Sequence, residues 1–224
     1  MSTVKTSQWH RLLWLPMVLL AGCAVNPVTG KNELSFLDES QEISMGAKQY
    51  EPSQQSQGGR YVSDPELTDY VSKIGQRLAR VADRSLPYEF VVIDDSTPNA
   101  WALPGGKIAV NRGLLTKLNS EAELAAVLSH EIVHAAARHS AKSMERGMLL
   151  SSVIGLASTA INQSAGNYGS IFDNGAQLGA RFIVSSYGRD AELESDAYGM
   201  IYMIRAGFDP EAAVSLQETF VQLS

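Results

Sequence analysis

Cysteine is nearly absent from this 224-residue chain. Cys23 is the single example, so no intramolecular disulfide and no cysteine-based zinc cluster is available. Basic charge is also short: Lys and Arg total 18 against 24 Asp and Glu, and no basic block occurs. That argues against a nucleic-acid-binding footprint. The charged share is only 19% while 45% of residues are apolar, a balance that belongs to a folded core and not to a disordered chain. Long hydrophobic runs are missing, since the apolar stretches at 12–20 and 147–161 both fall short of the roughly 20 residues that span a bilayer. No internal repeat or low-complexity segment appears. The length fits one large domain or two small ones.

What is present begins with an address. Residues 1–22 hold Lys5 and Arg11 but no acid, followed by the apolar run Leu12 to Leu20. This has the length and flanks of a signal-peptide core. Leu20-Ala21-Gly22-Cys23 resembles a bacterial lipobox, which implies cleavage before Cys23 and lipid attachment to its thiol and new amino group. The plainer alternative is an ordinary secretory signal with an incidental cysteine. Ala24 after the cysteine, by the sorting habit of such lipoproteins, favours the outer membrane.

Beyond the anchor, Asn26-Pro27-Val28-Thr29-Gly30 reads as a turn. A helix is expected from Asp38 to about Glu51, closed by Pro52, then a mobile polar loop over 53–60. Asp64-Pro65 starts a helix whose stripe of Leu67, Tyr70, Val71, Ile74, Leu78 and Val81 faces a core. Tyr88 to Ile93 is strand-like, and Pro104-Gly105-Gly106 separates two short apolar runs as a hairpin over 99–111. Ser120 and Glu123 match a capping box that opens a helix to about Ser143. Residues 147–161 suit a buried or interface helix, and 162–176 a surface loop. A late helix runs from about Gln177 to Ala206, ended by Gly207, and Asp209-Pro210 starts another.

The chemistry sits in His130-Glu131-Ile132-Val133-His134, an HExxH segment. At about 100° per residue the two histidines lie roughly 40° apart on one helical face, so both rings can reach one metal. Leu124, Leu128, Ile132 and Ala135 fall on the opposite face and should meet the core. Glu131 lies between the histidines, where it can touch a metal-bound water. Catalytic zinc needs three protein ligands and an open position. A metzincin continuation would require Gly at 137 and His at 140, but Ala137 and Ser140 stand there. His139 falls about 180° around a continuous helix from His130, so it reads as structural. No histidine follows it, which leaves a carboxylate. Glu192 and Asp196 sit one turn apart on the late helix, so Glu192 can bind metal while Asp196 accepts a hydrogen bond from a ligand imidazole. Glu194 points away on that helix and should be solvated.

With these residues the chain resembles the Glu-zincin peptidases that include the HtpX-type, CAAX prenyl endopeptidase and Oma-type proteases, and most closely their bacterial outer-membrane quality-control lipoprotein branch. The resemblance rests on Cys23 to Gly30, Asn99 to Gly106, Val110 to Leu115, His130 to His134 with Arg138-His139, and Arg189 to Asp196. It implies an α+β zincin-type fold, mainly helical, with a small β-sheet containing a hairpin beside the HExxH helix. It also implies one Zn(2+) per chain on His130, His134 and Glu192, with Glu131 as catalytic base. The expected organisation is a lipoprotein signal peptide at 1–22, an anchor and linker at 23–37, and a metallopeptidase domain at 38–224. The expected activity is that of a metalloendopeptidase, lipid-anchored through Cys23 and facing the periplasm. Its substrates would be unfolded or misassembled envelope polypeptides, its partner class the outer-membrane assembly machinery, and nucleic acid would play no part. Asn99, Ala100 and Trp101 are the candidate strand for backbone pairing with substrate. The alternative is an envelope chaperone or assembly module with an idle protease site. An aminopeptidase reading lacks any Gly-x-Met-Glu-Asn-like signature.

Overall fold

The computed structural model describes residues 23–161 and 187–223. The expected signal segment 1–22, the loop expected over 162–176 and the start of the late helix expected from Gln177 lie outside the described residues.

A small antiparallel hairpin comes first, β1 (Cys23–Val25) with β2 (Asn32–Leu34). Its turn is organised by Asn26, whose Oδ1 accepts from the backbone N–H groups of Val28 at 2.9 Å and Thr29 at 3.2 Å. Helix α1 (Glu39–Gln55) opens with a reciprocal capping box between Asp38 and Gln41 and runs through Pro52 instead of stopping at it. An interior proline forfeits one helical hydrogen bond and crowds the carbonyl four residues back, so the contacts beyond it must offset that cost. The turn beyond it is held by Ser56 N–H donating to Pro52 O at 3.1 Å and Gly59 N–H to Gln54 O at 2.8 Å. The polar stretch after α1 is therefore pinned. Gly58 and Gly59 take φ of 96° and 81°, conformations open to glycine, and Asp94 N–H donates to Gly59 O at 2.9 Å.

Helix α2 (Pro65–Ala79) starts as its sequence suggests, with Asp64 as N-cap and Pro65 in the first turn. Val71, Ile74 and Leu78 are buried, whereas Tyr70 lies off the stripe, exposed, with its hydroxyl donating to Glu121 at 2.7 Å. Strands β3 (Glu89–Ile93), β4 (Ala100–Leu103) and β5 (Lys107–Asn111) form one sheet in the order β3-β5-β4. The β4–β5 hairpin is antiparallel and β5 runs parallel to β3. Alternation splits the side chains between two cores. Phe90, Val92, Ala102, Ile108 and Val110 join α2 and the following helices, while Val91, Ile93, Trp101, Leu103 and Ala109 join Tyr50 and Met144.

After the one-turn helix α3 (Arg112–Leu115) comes α4 (Glu121–Ala136), capped by Ser120, which accepts from Glu123 N–H at 3.1 Å. The Glu123 carboxylate turns back to Asn119 N–H at 2.7 Å instead of closing a capping box on Ser120. The expected continuous helix to Ser143 is broken. Arg138 takes φ 65°, and a new helix, α5 (His139–Ile161), begins directly after it. A non-glycine residue adopts that conformation only when its surroundings impose it. Here the Arg138 guanidinium is drawn away from α4 onto Glu42 of α1 and the Leu37 carbonyl. Helices α6 (Arg189–Ala206) and α7 (Glu211–Leu223) complete the fold, with Gly207 as a left-handed C-cap at φ 77°. The result is a mainly helical α+β zincin-type fold. No helix among the described residues is long and apolar enough to cross a membrane.

Candidate metal centre

Helices α4 and α6 pack side by side, with Gly199 of α6 lying against Ser129 and His130 of α4. This contact brings the HExxH segment and the acidic start of α6 together. His130 Nε2 and His134 Nε2 stand 2.9 Å apart. Glu192 reaches both, at 3.4 Å from His130 Nε2 and 3.6 Å from His134 Nε2. One donor atom from each of the three residues falls within 4.8 Å of the others. Two imidazoles and a carboxylate make up a common donor set of catalytic zinc sites. Asp196 lies one turn beyond Glu192, its Oδ1 2.9 Å from His130 Nδ1. A carboxylate accepts, so His130 carries a proton on Nδ1, and Nε2 is the atom it turns toward the metal position.

Glu131 is buried, with its Oε2 lacking any hydrogen-bond partner. A buried unpartnered carboxylate oxygen is costly, and it fits a site built to hold a water or an ion beside it. Desolvation pushes the Glu131 carboxyl up to about 7, with the charge of Glu192 in the same direction and His130 opposing. Desolvation lowers the His134 pKa, reinforced by the nearby His130 and His139, so its ring is neutral and able to ligate. At His130 desolvation is overcome by the hydrogen bonds to Asp196 and Glu192 and the charges of Glu131 and Glu192, which raise it to about 10 when no metal competes. The site opens into a cleft of about 610 Å³, lined by Asn99, Ala100, His130, Glu131 and Glu192 together with apolar residues of α6 and α7.

The peptidase family M48 model matches residues 65–222, a span that includes the three-stranded sheet, the HExxH helix and the acidic helix. The chain belongs to peptidase family M48. It is 33% identical over 218 residues to the mitochondrial metalloendopeptidase OMA1 of Schizosaccharomyces pombe, covering 93% of this chain and 63% of that protein. To the beta-barrel assembly-enhancing protease of Escherichia coli it is 32% identical over 196 residues, 86% of this chain and 40% of that one. A putative beta-barrel assembly-enhancing protease of Vibrio cholerae is 36% identical over 155 residues, 67% of this chain and 32% of its own. The chain thus spans less than two thirds of the length of these relatives.

In this M48 chain the surroundings of the centre differ from the sequence expectation at two places, His139 and Glu194. His139 is no bystander: because the chain turns at Arg138, its Nδ1 comes to 3.0 Å from His134 Nδ1. Glu194 is not solvated but meets His139 Nε2 at 3.1 Å and Asn26 Nδ2 at 3.1 Å. Trp101 does not face the cleft. Its ring packs edge-on against Tyr50 on the other side of the sheet, and its Nε1 donates to Gln57 at 3.2 Å. Of the expected substrate strand, Asn99 and Ala100 line the cleft, although the Asn99 carbonyl accepts from Asn111 N–H at 2.9 Å. Tyr187, two residues before α6, stacks on the His134 ring at 3.7 Å between centroids. Its hydroxyl donates to the Ala102 carbonyl at 2.9 Å and meets Ser140 at 2.8 Å, so it is committed to the strand edge.

Proposed function

We propose that this chain is a zinc-dependent endopeptidase in which His130, His134 and Glu192 hold the metal and Glu131 is the general base. The observation that carries the reading is the convergence of those three donor atoms beside a buried carboxylate oxygen with no partner. A zinc ion held there would supply Lewis acidity, bringing the pKa of a bound water toward about 7 and polarising the scissile carbonyl. Glu131, buried beside those donors with one carboxylate oxygen unpartnered, takes the proton from the attacking water and delivers it to the leaving amine. Asp196 holds the His130 ring in its ligating orientation.

The substrates we propose are unfolded or misassembled polypeptides of the cell envelope. The names of the bacterial relatives, beta-barrel assembly-enhancing proteases, support that class and a link to outer-membrane assembly. β4 is an edge strand of its sheet, and Ala100 sits both on that edge and at the cleft. An extended chain added there would gain backbone hydrogen bonds without regard to its side chains. The Ala102 carbonyl is already taken by Ser140 and Tyr187, which would limit pairing to the Ala100 end. Lipidation of Cys23 after removal of residues 1–22 would anchor the enzyme in the outer membrane facing the periplasm, with 23–37 as linker and 38–224 as the peptidase domain.

The test is cleavage of unfolded casein by the full chain with zinc, with and without a chelator. Glu131→Gln should abolish turnover while leaving zinc content unchanged. Casein cleavage that persists in Glu131→Gln overturns the assignment, and a wild-type protein that takes up zinc yet cleaves nothing favours an assembly module over a protease.

A further inference from the structure

Behind the two metal-facing histidines runs a line of buried polar groups that the peptidase chemistry leaves unused. It starts in the N-terminal hairpin. Asn26 is 1% exposed, and its Oδ1 is occupied by two backbone N–H donors, from Val28 and Thr29. The amide orientation is thereby fixed, and Nδ2 must point outward as a donor. It donates to Glu33 at 3.2 Å and to Glu194 Oε1 at 3.1 Å. The same Glu194 oxygen faces His139 Nε2 at 3.1 Å. A carboxylate oxygen accepts from both, so the His139 proton sits on Nε2. His139 Nδ1 is then an acceptor, facing His134 Nδ1 at 3.0 Å and, farther off, the Ser195 hydroxyl at 3.4 Å. Two ring nitrogens in contact need one donor, so the His134 proton sits on Nδ1. That leaves His134 Nε2 with a free lone pair, aimed at His130 Nε2 and Glu192.

We propose that Asn26, Glu194 and His139 form a hydrogen-bond relay that sets the tautomer of His134, making its Nε2 the metal-binding atom, with His139 as the residue that positions it. This rests on the metal reading above but goes beyond it, because it ties that reading to the hairpin that begins at Cys23. His130 and His134 are each oriented from behind by a different device: a carboxylate for His130, and an imidazole backed by a carboxylate for His134. The stacking of Tyr187 on His134 holds the ring plane but exchanges no proton with it, so ring direction and tautomer have separate causes. The break at Arg138 is what makes the relay: a continuous α4 would carry His139 to the opposite face.

The experiment has two arms on the full chain. Histidine nitrogen–proton correlation spectra locate the ring protons directly, in metal-free and zinc-loaded protein. The relay requires His134 protonated on Nδ1 and His139 on Nε2 in both. Zinc affinity is then measured by competition with a chromophoric chelator, beside the melting temperature of each metal-free variant. His139→Leu removes the acceptor and should weaken zinc binding about 10–100-fold, the usual loss when a ligand histidine is left without its outer partner. His139→Asn places a carbonyl oxygen near the Nδ1 position and should recover most of that loss, and Asn26→Ala should show a smaller loss than His139→Leu. A His139 proton on Nδ1, or His139→Leu binding zinc as wild type does, overturns the relay. Equal losses in His139→Leu and His139→Asn reduce His139 to a packing residue and overturn it too. If the wild type binds no zinc, the metal reading falls, while the metal-free spectrum still decides the relay; it also decides if His139→Leu fails to fold.

Discussion

Gly199 of α6 lies against the backbone of His130 in α4: a Cβ at position 199 would stand 3.3 Å from His130 N, 3.5 Å from its Cα and 3.2 Å from Ser129 Oγ. Glu192, Asp196 and Gly199 share one face of α6, so this contact sets how far the two carboxylates stand from the histidines. Gly199→Ala gains roughly 1 kcal/mol of helix propensity and meets crowding of similar size, so its stability should stay near wild type. Gly199→Val adds branches that must push α6 outward. A displacement of about 1 Å at a reacting centre can cost 100-fold in rate, and a loss of that order is expected for casein cleavage. The check is rate and zinc affinity for both variants beside their melting temperatures; wild-type turnover by Gly199→Val would show that this contact does not gauge the site.

A second prediction concerns Glu42, which holds Arg84 at 2.8 Å and also Arg138, and is itself 0% exposed. Removing one member of a buried charge cluster leaves its partners uncompensated, at a cost of about 3–5 kcal/mol. Glu39 contacts the same Arg84 at 3.1 Å from a largely exposed position, where such a pair contributes less than about 1 kcal/mol. Urea melts should therefore rank Glu42→Ala far below Glu39→Ala. Equal midpoints for the two variants would remove Glu42 from the list of residues that hold α1 against the Arg138 turn.

Helix starts and the hairpin were legible because their signals are local: Asp64-Pro65 and Ser120 cap helices, and Pro104-Gly105-Gly106 turns the strands. The grouping of His130, His134, Glu192 and Asp196 was legible for a related reason, since helical periodicity alone puts each pair on one face. His139 and Glu194 were not. Unbroken helical geometry and a solvated surface predict neither position, and each is decided by a distant residue. Glu42, 96 positions from Arg138, draws the chain into a left-handed turn that no arginine prefers, and Asn26, 168 positions from Glu194, covers that carboxylate. Arg138-His139 directly after the HExxH helix was the one available signal, and nothing in its residue types marks a helix break. Pro52 misled in the opposite direction, because contacts from Gly59 and Ser56 extend α1 past it.

Membrane attachment gives a third prediction. Leu20-Ala21-Gly22-Cys23 places the chain's single cysteine where a lipobox requires it. Each buried acyl methylene contributes roughly 0.8 kcal/mol, so a multiply acylated cysteine holds a protein at the bilayer durably. The processed protein made from the full-length precursor should partition into the detergent phase after cloud-point separation, and Cys23→Ser should move to the aqueous phase or remain unprocessed. Detergent partitioning by a Cys23→Ser protein that has lost residues 1–22 would dismiss the anchor.

The last prediction separates the two carboxylates of α6. Glu192 stands 3.4 and 3.6 Å from the two Nε2 atoms that face each other, whereas Asp196 meets His130 on the far side of its ring, at Nδ1. Loss of Glu192 removes a direct donor from a set of three, and a catalytic zinc site seldom survives with two protein ligands. Loss of charge at Asp196 leaves the donors in place and weakens the orientation and basicity of one of them, an effect of about 10–100-fold. Asp196→Asn keeps the shape and one acceptor oxygen for His130 Nδ1–H, so it should fall at the mild end of that range. Zinc content and casein cleavage after dialysis against graded chelator concentrations measure both. Glu192→Ala should lose its zinc at the weakest chelator and Asp196→Asn only at stronger ones. If the two lose zinc together, Asp196 belongs among the ligands and the division of roles along α6 is wrong.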